Sequence, residues 1–162
     1  MGYRYIRQLP SFISAVAAAL TLAATAHANP TAGNDLFLSV TGGENLLQIK
    51  PLTTPQGNRL AVSVAGDHNG GFGQDWASPM FSQGFAAPGI LAQTGRDNAL
   101  ALAVEGRGNL FSITQNGTAN IVSGQITGVG NMVAVAQTGT ANIAHFSQTG
   151  TGNSLSISQS SW

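Results

Sequence analysis

The sequence predicts an all-β fold, a β-solenoid with two strands in each coil. Asparagine recurs every eleven residues from position 98 to position 153, and glycine stands three residues before each asparagine. Glutamine recurs every 22 residues, so the repeating unit has 22 residues in two similar halves. The asparagines are Asn98, Asn109, Asn120, Asn131, Asn142 and Asn153, the turn glycines are Gly95, Gly106, Gly117, Gly128, Gly139 and Gly150, and the glutamines are Gln93, Gln115, Gln137 and Gln159.

Each half-repeat has the alternation of a strand. Phe111 and Ile113 are the second and fourth residues after Asn109, and small or polar residues stand between them. Such alternation predicts a strand with one buried face. The asparagine and the residue six places later share the parity of the hydrophobic pair, so both are predicted to point inward. Glycine between the strands can adopt the positive φ that a tight reversal needs.

Two architectures fit this pattern, an antiparallel meander and a β-solenoid. In a meander, the asparagine that begins one strand lies beside the glutamine that ends the next strand. In a solenoid, residues 22 apart stack in register, and stacked amides form the hydrogen-bonded ladders of cross-β, amyloid-like assemblies. Only stacking explains the 22-residue period, so we predict about five coils, the N-terminal ones degenerate.

The chain begins with a predicted export signal at residues 1–28. Arg4 and Arg7 precede a mostly apolar run, which ends in the small-x-small sequence Ala26-His27-Ala28. This order is typical of a cleaved secretory signal, and the mature chain would then begin at Asn29.

Three further regions follow the predicted signal. Residues 29–69 hold degenerate repeats, in which Asn34 and Asn45 are eleven apart and so are Asn58 and Asn69. Residues 70–89 are rich in glycine, proline and aromatic residues, and we interpret them as an insertion loop between two blocks, beginning where the copy after Asn69 fails. Residues 90–162 form the regular block.

Composition excludes several classes of protein. Residues 29–162 contain four basic and six acidic residues, with no basic patch for nucleic acid and no apolar run long enough to span a membrane. There is no cysteine, so disulfides cannot stabilise the fold. Residues 108–162 contain no charged side chain, which removes the repulsion that ordinarily keeps chains from stacking on one another.

No group of residues has the spacing of a catalytic, metal or cofactor site. His68 and His145 have no partner at motif spacing. Residues 70–75 match the start of a calcium-binding nonapeptide repeat, but that site needs consecutive copies and this sequence has one. We therefore predict that the protein is not an enzyme and needs no metal or cofactor.

The sequence resembles the curlin repeat. The run from Asn131 to Asn153, with Gln137, Asn142 and Gln148, has the family's spacing of Ser or Asn, Gln, Gly, Asn and Gln. The similarity is good over residues 93–159 and weak over 34–69. Val104 and Ile126 stand where the family has glutamine, and Gly124 interrupts an apolar row.

This resemblance implies an exported bacterial subunit that polymerises into extracellular functional amyloid, called curli. It further implies an outer-membrane secretion channel, accessory factors and a second curlin subunit as partners, and leaves open whether this chain is the major or the minor, nucleating subunit. The self-assembly ladder would consist of Gln93, Asn98, Asn109, Gln115, Asn120, Asn131, Gln137, Asn142, Gln148, Asn153 and Gln159.

Two functions of different classes follow. The first is a secreted structural subunit of curli-like fibres at the cell surface, serving adhesion and the biofilm matrix. The second is a monomeric, surface-displayed β-solenoid, an adhesin or an ice-binding module with a flat face. Outward positions are mixed, as in Ala101, Ser112, Ala134 and His145, whereas the regular positions point inward, which favours the fibre.

Overall fold

The computed structural model describes residues 33–50, 57–71, 81 and 85–162, and the backbone of 24–28. Its elements are strands that follow one another at short intervals in the regular block, as the alternation predicts. They are β1 (Ala24–Ala28), β2 (Asp35–Thr41), β3 (Gln48–Ile49), β4 (Arg59–Asp67), β5 (Ile90–Arg96), β6 (Ala99–Arg107), β7 (Leu110–Thr118), β8 (Ile121–Val129), β9 (Met132–Thr140), β10 (Ile143–Thr151) and β11 (Ser154–Ser160).

The strands form two sheets, and from β2 onward consecutive strands alternate between them. One sheet has six strands in the order β1-β2-β4-β6-β8-β10, and the other has five in the order β11-β9-β7-β5-β3. Pairing is parallel except between β1 and β2, which are antiparallel. Residues 22 apart are paired, as Gln115 is with Gln137. The predicted β-solenoid of about five coils with two strands per coil is confirmed.

The hydrophobic core lies between the two sheets. It is built from the second and fourth residues after each asparagine, and Leu100, Phe111 and Val133 are almost completely buried there. Gly124, which interrupts one of these rows, lies beside Phe146 of the next coil. A Cβ atom on Gly124 would lie 2.1 Å from the Cζ of Phe146. The glycine therefore leaves the space that the phenylalanine ring fills.

The copy of the repeat that begins at Asn69 is continued after the insertion. The interpretation of residues 70–89 as an insertion loop falls mostly on residues outside the described part of the chain. Gly70 still pairs with Leu110 in the five-stranded sheet. The N–H of Gly89 donates to the carbonyl of Phe111 at 2.7 Å, and β5 starts at the next residue. Residues 69–71 and β5 thus share one coil, and the insertion interrupts its strand.

The outward sides of the two sheets differ. Ala101 and His145 are exposed on the six-stranded sheet. At the corresponding positions of the five-stranded sheet, Ser112 and Ala134 are 1% and 0% exposed. Among the described residues, no helix has the length and apolar character that a membrane crossing requires.

Candidate assembly site

Two asparagine ladders run along the two corners of the coil. Every asparagine after the first of each ladder donates its backbone N–H to the Oδ1 of the asparagine one coil earlier. The side-chain Nδ2 of Asn120 adds a second bond to the Oδ1 of Asn98 at 3.0 Å. The first ladder is Asn34, Asn58, Asn98, Asn120 and Asn142, and the second is Asn45, Asn69, Asn109, Asn131 and Asn153.

Each internal asparagine also reaches the following coil. The Nδ2 of Asn98 donates to the carbonyl of Gly117 at 3.0 Å, and the Nδ2 of Asn120 donates to that of Gly139 at 3.0 Å. One side chain therefore joins three successive coils. Asn98 and Asn120 are each 0% exposed, and a buried amide without a partner costs about 1–3 kcal/mol. The ladder is consequently stable only where a further coil is present.

The turn glycines are required by the close approach of the coils. Gly117 has a φ of +134°, and a Cβ atom there would lie 2.0 Å from the carbonyl oxygen of Gly139. Gly106 and Gly128 have the same relation, at 1.9 Å. No side chain fits into that space, so glycine at this corner sets the spacing between coils.

A glutamine ladder runs through the five-stranded sheet. The Nε2 of Gln93 donates to the Oε1 of Gln115 at 2.8 Å, Gln115 donates to Gln137 at 3.0 Å, and Gln137 donates to Gln159 at 2.7 Å. Each Nε2 also donates to a backbone carbonyl across the coil, as Gln115 does to Ala99 at 3.1 Å. The glutamine side chains donate towards the C-terminus, whereas the asparagine backbone N–H groups donate towards the N-terminus.

Gln148 is the one predicted ladder glutamine that has no glutamine neighbour among the described residues. It pairs with Ile126 in the preceding coil, and that row contains Val64 and Val104 before it. The Oε1 of Gln148 is buried and has no hydrogen-bond partner in the described part of the chain. The Oε1 of Gln93 is unpartnered there for the same reason, since no described glutamine precedes it in its row.

The last coil presents an open edge. In the described structure, β10 pairs only with β8, and β11 pairs only with β9. No hydrogen bond to the Oδ1 of Asn142 or Asn153 is formed among the described residues, although every preceding asparagine in both ladders accepts one. The edge thus repeats the hydrogen-bonding pattern that each internal coil offers to the next coil.

Some members of the site were missing from the predicted ladder. Asn34, Asn45, Asn58 and Asn69 lie in the two asparagine ladders. Their eleven-residue spacing within each pair was the available signal.

Comparison with known proteins agrees with this geometry. Residues 128–160 match the family model of the curlin associated repeat. No curated protein and no solved structure matches the chain. The matched residues comprise the last part of both asparagine ladders and the open C-terminal edge, which are the features that the spacing of the repeat predicts. Residues 128–160 therefore carry the curlin associated repeat, which is the repeat of curli-like subunits.

Proposed function

We propose that this protein is an exported structural subunit that stacks its coils on those of neighbouring subunits to form extracellular curli-like amyloid fibres. The observation that carries the proposal is the open C-terminal edge, which lacks only a following coil to continue both asparagine ladders. A strand edge of this kind is a template for another chain unless something covers it. The predicted ladder residues are then the residues of assembly.

The chemistry of the C-terminal half favours such stacking. Residues 108–162 contain no charged side chain, so no charge repulsion opposes the approach of a second molecule. Ile143 at the edge is 53% exposed, and a neighbouring coil would cover part of it. Backbone, amide and apolar groups of the edge would all gain partners from one stacking event.

A flat binding face, the alternative function, has less support. The centre of the outward side of the five-stranded sheet is buried at Ser112 and Ala134, so it is not available as a flat surface. The corresponding positions of the six-stranded sheet are Ala101, Ser123 and His145, which share no chemistry. A ligand with a repetitive surface requires a regular row of outward side chains, but the regular rows of this protein point into the coil.

The remaining parts of the proposal rest on the sequence and on its resemblance to the curlin family. Residues 1–28 would direct export and be removed, residues 29–69 and 90–162 would supply the coils, and an outer-membrane channel with accessory factors would release the chain. The partners would be further copies of the chain and a second curlin subunit. The fibre would lie on the bacterial surface and serve adhesion and the biofilm matrix, without catalysis or a cofactor.

The test uses the purified chain of residues 29–162. We expect it to form fibres whose diffraction has a meridional spacing of about 4.7–4.8 Å. Asn142→Ala should slow seeded growth several-fold, because Asn142 lies at the edge and donates to Asn120. His145→Ala, an exposed position on the strand that follows Asn142, is the matched control and should leave growth unchanged. Soluble monomer under all conditions, or equal growth of both variants, contradicts the proposal.

A further inference from the structure

The opposite end of the six-stranded sheet is already occupied by the chain's own strand β1. The register pairs Ala24 with Val40 and Ala28 with Leu36, so β1 lies along most of β2 in the antiparallel direction. On its other side, β2 pairs with β4. Both sides of β2 are therefore hydrogen-bonded in the complete chain, in contrast to β10 at the other end.

The backbone groups that β1 covers are the ones that a stacked neighbour needs. The N–H of Asp35 donates to the carbonyl of Asn58, so it faces the following coil. Because backbone groups alternate in direction along a strand, the N–H groups of Leu36, Leu38 and Val40 face outward, towards β1. They are the groups that a preceding coil would bind, as the equivalent groups of each internal coil do.

A second copy of the chain would place its β10 at this position. The strands β2, β4, β6, β8 and β10 occupy equivalent places in successive coils of one sheet. Head-to-tail stacking therefore lays β10 of one molecule along β2 of the next. Only one strand can bind the outer side of β2, so β1 and the β10 of a second copy exclude each other.

The end of β1 coincides with the predicted cleavage site. β1 ends at Ala28, the residue after which the sequence Ala26-His27-Ala28 predicts processing. We propose that the outer edge of β2 is the surface that receives the C-terminal coil of a second copy, and that residues 24–28 block this surface until processing removes them. This inference rests on the proposed fibre function and adds a specific control of assembly to it.

The uncleaved chain has one open end and one blocked end. Its C-terminal edge can bind the free β2 edge of a processed molecule at one end of a fibre. Its own β2 edge is covered, so no further molecule can add behind it. The uncleaved chain therefore acts as a terminator of growth at that end, and a small molar fraction of it suffices.

The experiment measures seeded growth of residues 29–162 with a small molar fraction of the full chain, residues 1–162. The test variant carries Ala26→Pro and His27→Pro, because one of two adjacent N–H groups faces β2 and proline has none. The matched control carries Ala26→Ser and His27→Ser, which keep both N–H groups. We expect the full chain and the serine control to reduce growth several-fold, and the proline variant to have little effect. Equal inhibition by the proline and serine variants overturns the inference.

Hydrogen exchange separates this inference from the proposed function, since it needs no fibre. In the soluble full chain and in the serine control, we expect the amides of Leu36, Leu38 and Val40 to exchange at least tenfold more slowly than in the proline variant. The same slow exchange in all three overturns the blocking role of β1. If residues 29–162 fail to form fibres while the protection is present, the fibre function fails and the contact between β1 and β2 stands.

Discussion

The two sheets of the coil fill the same inward position with different side chains, amides in one sheet and aliphatic groups in the other. At the sixth residue after the asparagine, the five-stranded sheet has a row of glutamines, and each Nε2 binds the Oε1 of the next one. The six-stranded sheet has an aliphatic row at the equivalent place, which is Val40, Val64, Val104 and Ile126. Both rows are buried, and both stack at the same coil spacing.

Each stacked row must therefore be uniform along the coil, but it can consist of either amide or aliphatic side chains. A buried amide is satisfied by another amide above or below it, and an aliphatic side chain is satisfied by another aliphatic one. Where a row changes character, an atom is left without a partner, as the Oε1 of Gln148 is beside Ile126. The asparagine and glycine corners are common to both rows and fix the coil.

The largest expected loss of stability comes from replacing an asparagine at a corner, where the chain passes between the two sheets. Asn120→Ala removes the Oδ1 that accepts from the N–H and the Nδ2 of Asn142, and the Nδ2 that reaches Gly139. We expect a loss of about 3 kcal/mol in the free energy of unfolding, since each buried group left unpaired costs about 1–3 kcal/mol. Urea unfolding of residues 29–162, kept dilute and monomeric, measures it.

The matched control for this change is Asn116→Ala. Asn116 is exposed and lies outside both ladders. A surface substitution of this kind usually changes stability by less than about 0.5 kcal/mol. Similar losses for Asn120 and Asn116 would contradict the view that the corner ladder holds the coil together.

Two leucine substitutions, one in each row, are expected to change the stability of the monomer by a smaller amount and in opposite directions. Gln137→Leu removes the glutamine partner of the Gln115 Nε2 and of the Gln159 Oε1, and we expect a loss of about 2 kcal/mol in the free energy of unfolding. Gln148→Leu removes a buried unpartnered oxygen and a weak bond to the carbonyl of Met132 at 3.3 Å. It also extends the aliphatic row beyond Ile126.

We therefore expect Gln148→Leu to leave the stability of the monomer unchanged or to raise it by about 1 kcal/mol. The same urea titration measures both leucine variants, and the unsubstituted chain is the reference. Equal losses of stability from the two substitutions would show that a row does not need to be uniform.

The coil could be predicted from the sequence because the same residue types recur at a fixed spacing in every half-repeat. Asparagine and glycine at fixed spacing give the corners, and alternation gives the buried faces. The continuity of the coil through Asn69 could not be predicted in this way. Asn69 and Asn109 are neighbours in the ladder but 40 residues apart in the chain, which is the 22-residue period plus an 18-residue insertion. A longer loop adds little entropic cost to stacking, so the coil tolerates the interruption, but the local pattern is lost.

Two further features depend on geometry that the pattern does not encode. The asparagine ladder uses a backbone N–H as donor and the glutamine ladder uses the side-chain Nε2, and the two point in opposite directions along the coil. The pairing of β1 with β2 is antiparallel and lies outside the repeat, so the periodicity of the sequence could not predict it. Both had to be observed in the structure.

The smallest expected change in stability concerns the residue before each asparagine. This residue differs between the two corners. At one corner this residue is glycine in the regular block, as Gly130 is, and at the other it is Asp97, Ala119 or Ala141. Ala141 has a φ of 56°, in the left-handed region that costs a residue with a Cβ atom about 1–2 kcal/mol. Glycine relieves this strain but gives the unfolded chain more freedom, which offsets about 0.4–1 kcal/mol. We expect Ala141→Gly to stabilise the monomer by about 0.5–1 kcal/mol on balance.

The reverse substitution at the other corner provides the control. Gly130 has a φ of +65°, and a Cβ atom there would meet nothing within 4 Å, so Gly130→Ala introduces backbone strain without a clash. We expect it to destabilise the monomer by about the amount that Ala141→Gly gains. Urea midpoints of the two variants and of the double variant test this, and the double variant should return close to the original value because the sites lie at different corners. If Ala141→Gly lowers the midpoint, alanine contributes packing at that corner that outweighs its strain, and the two corners differ in more than backbone conformation.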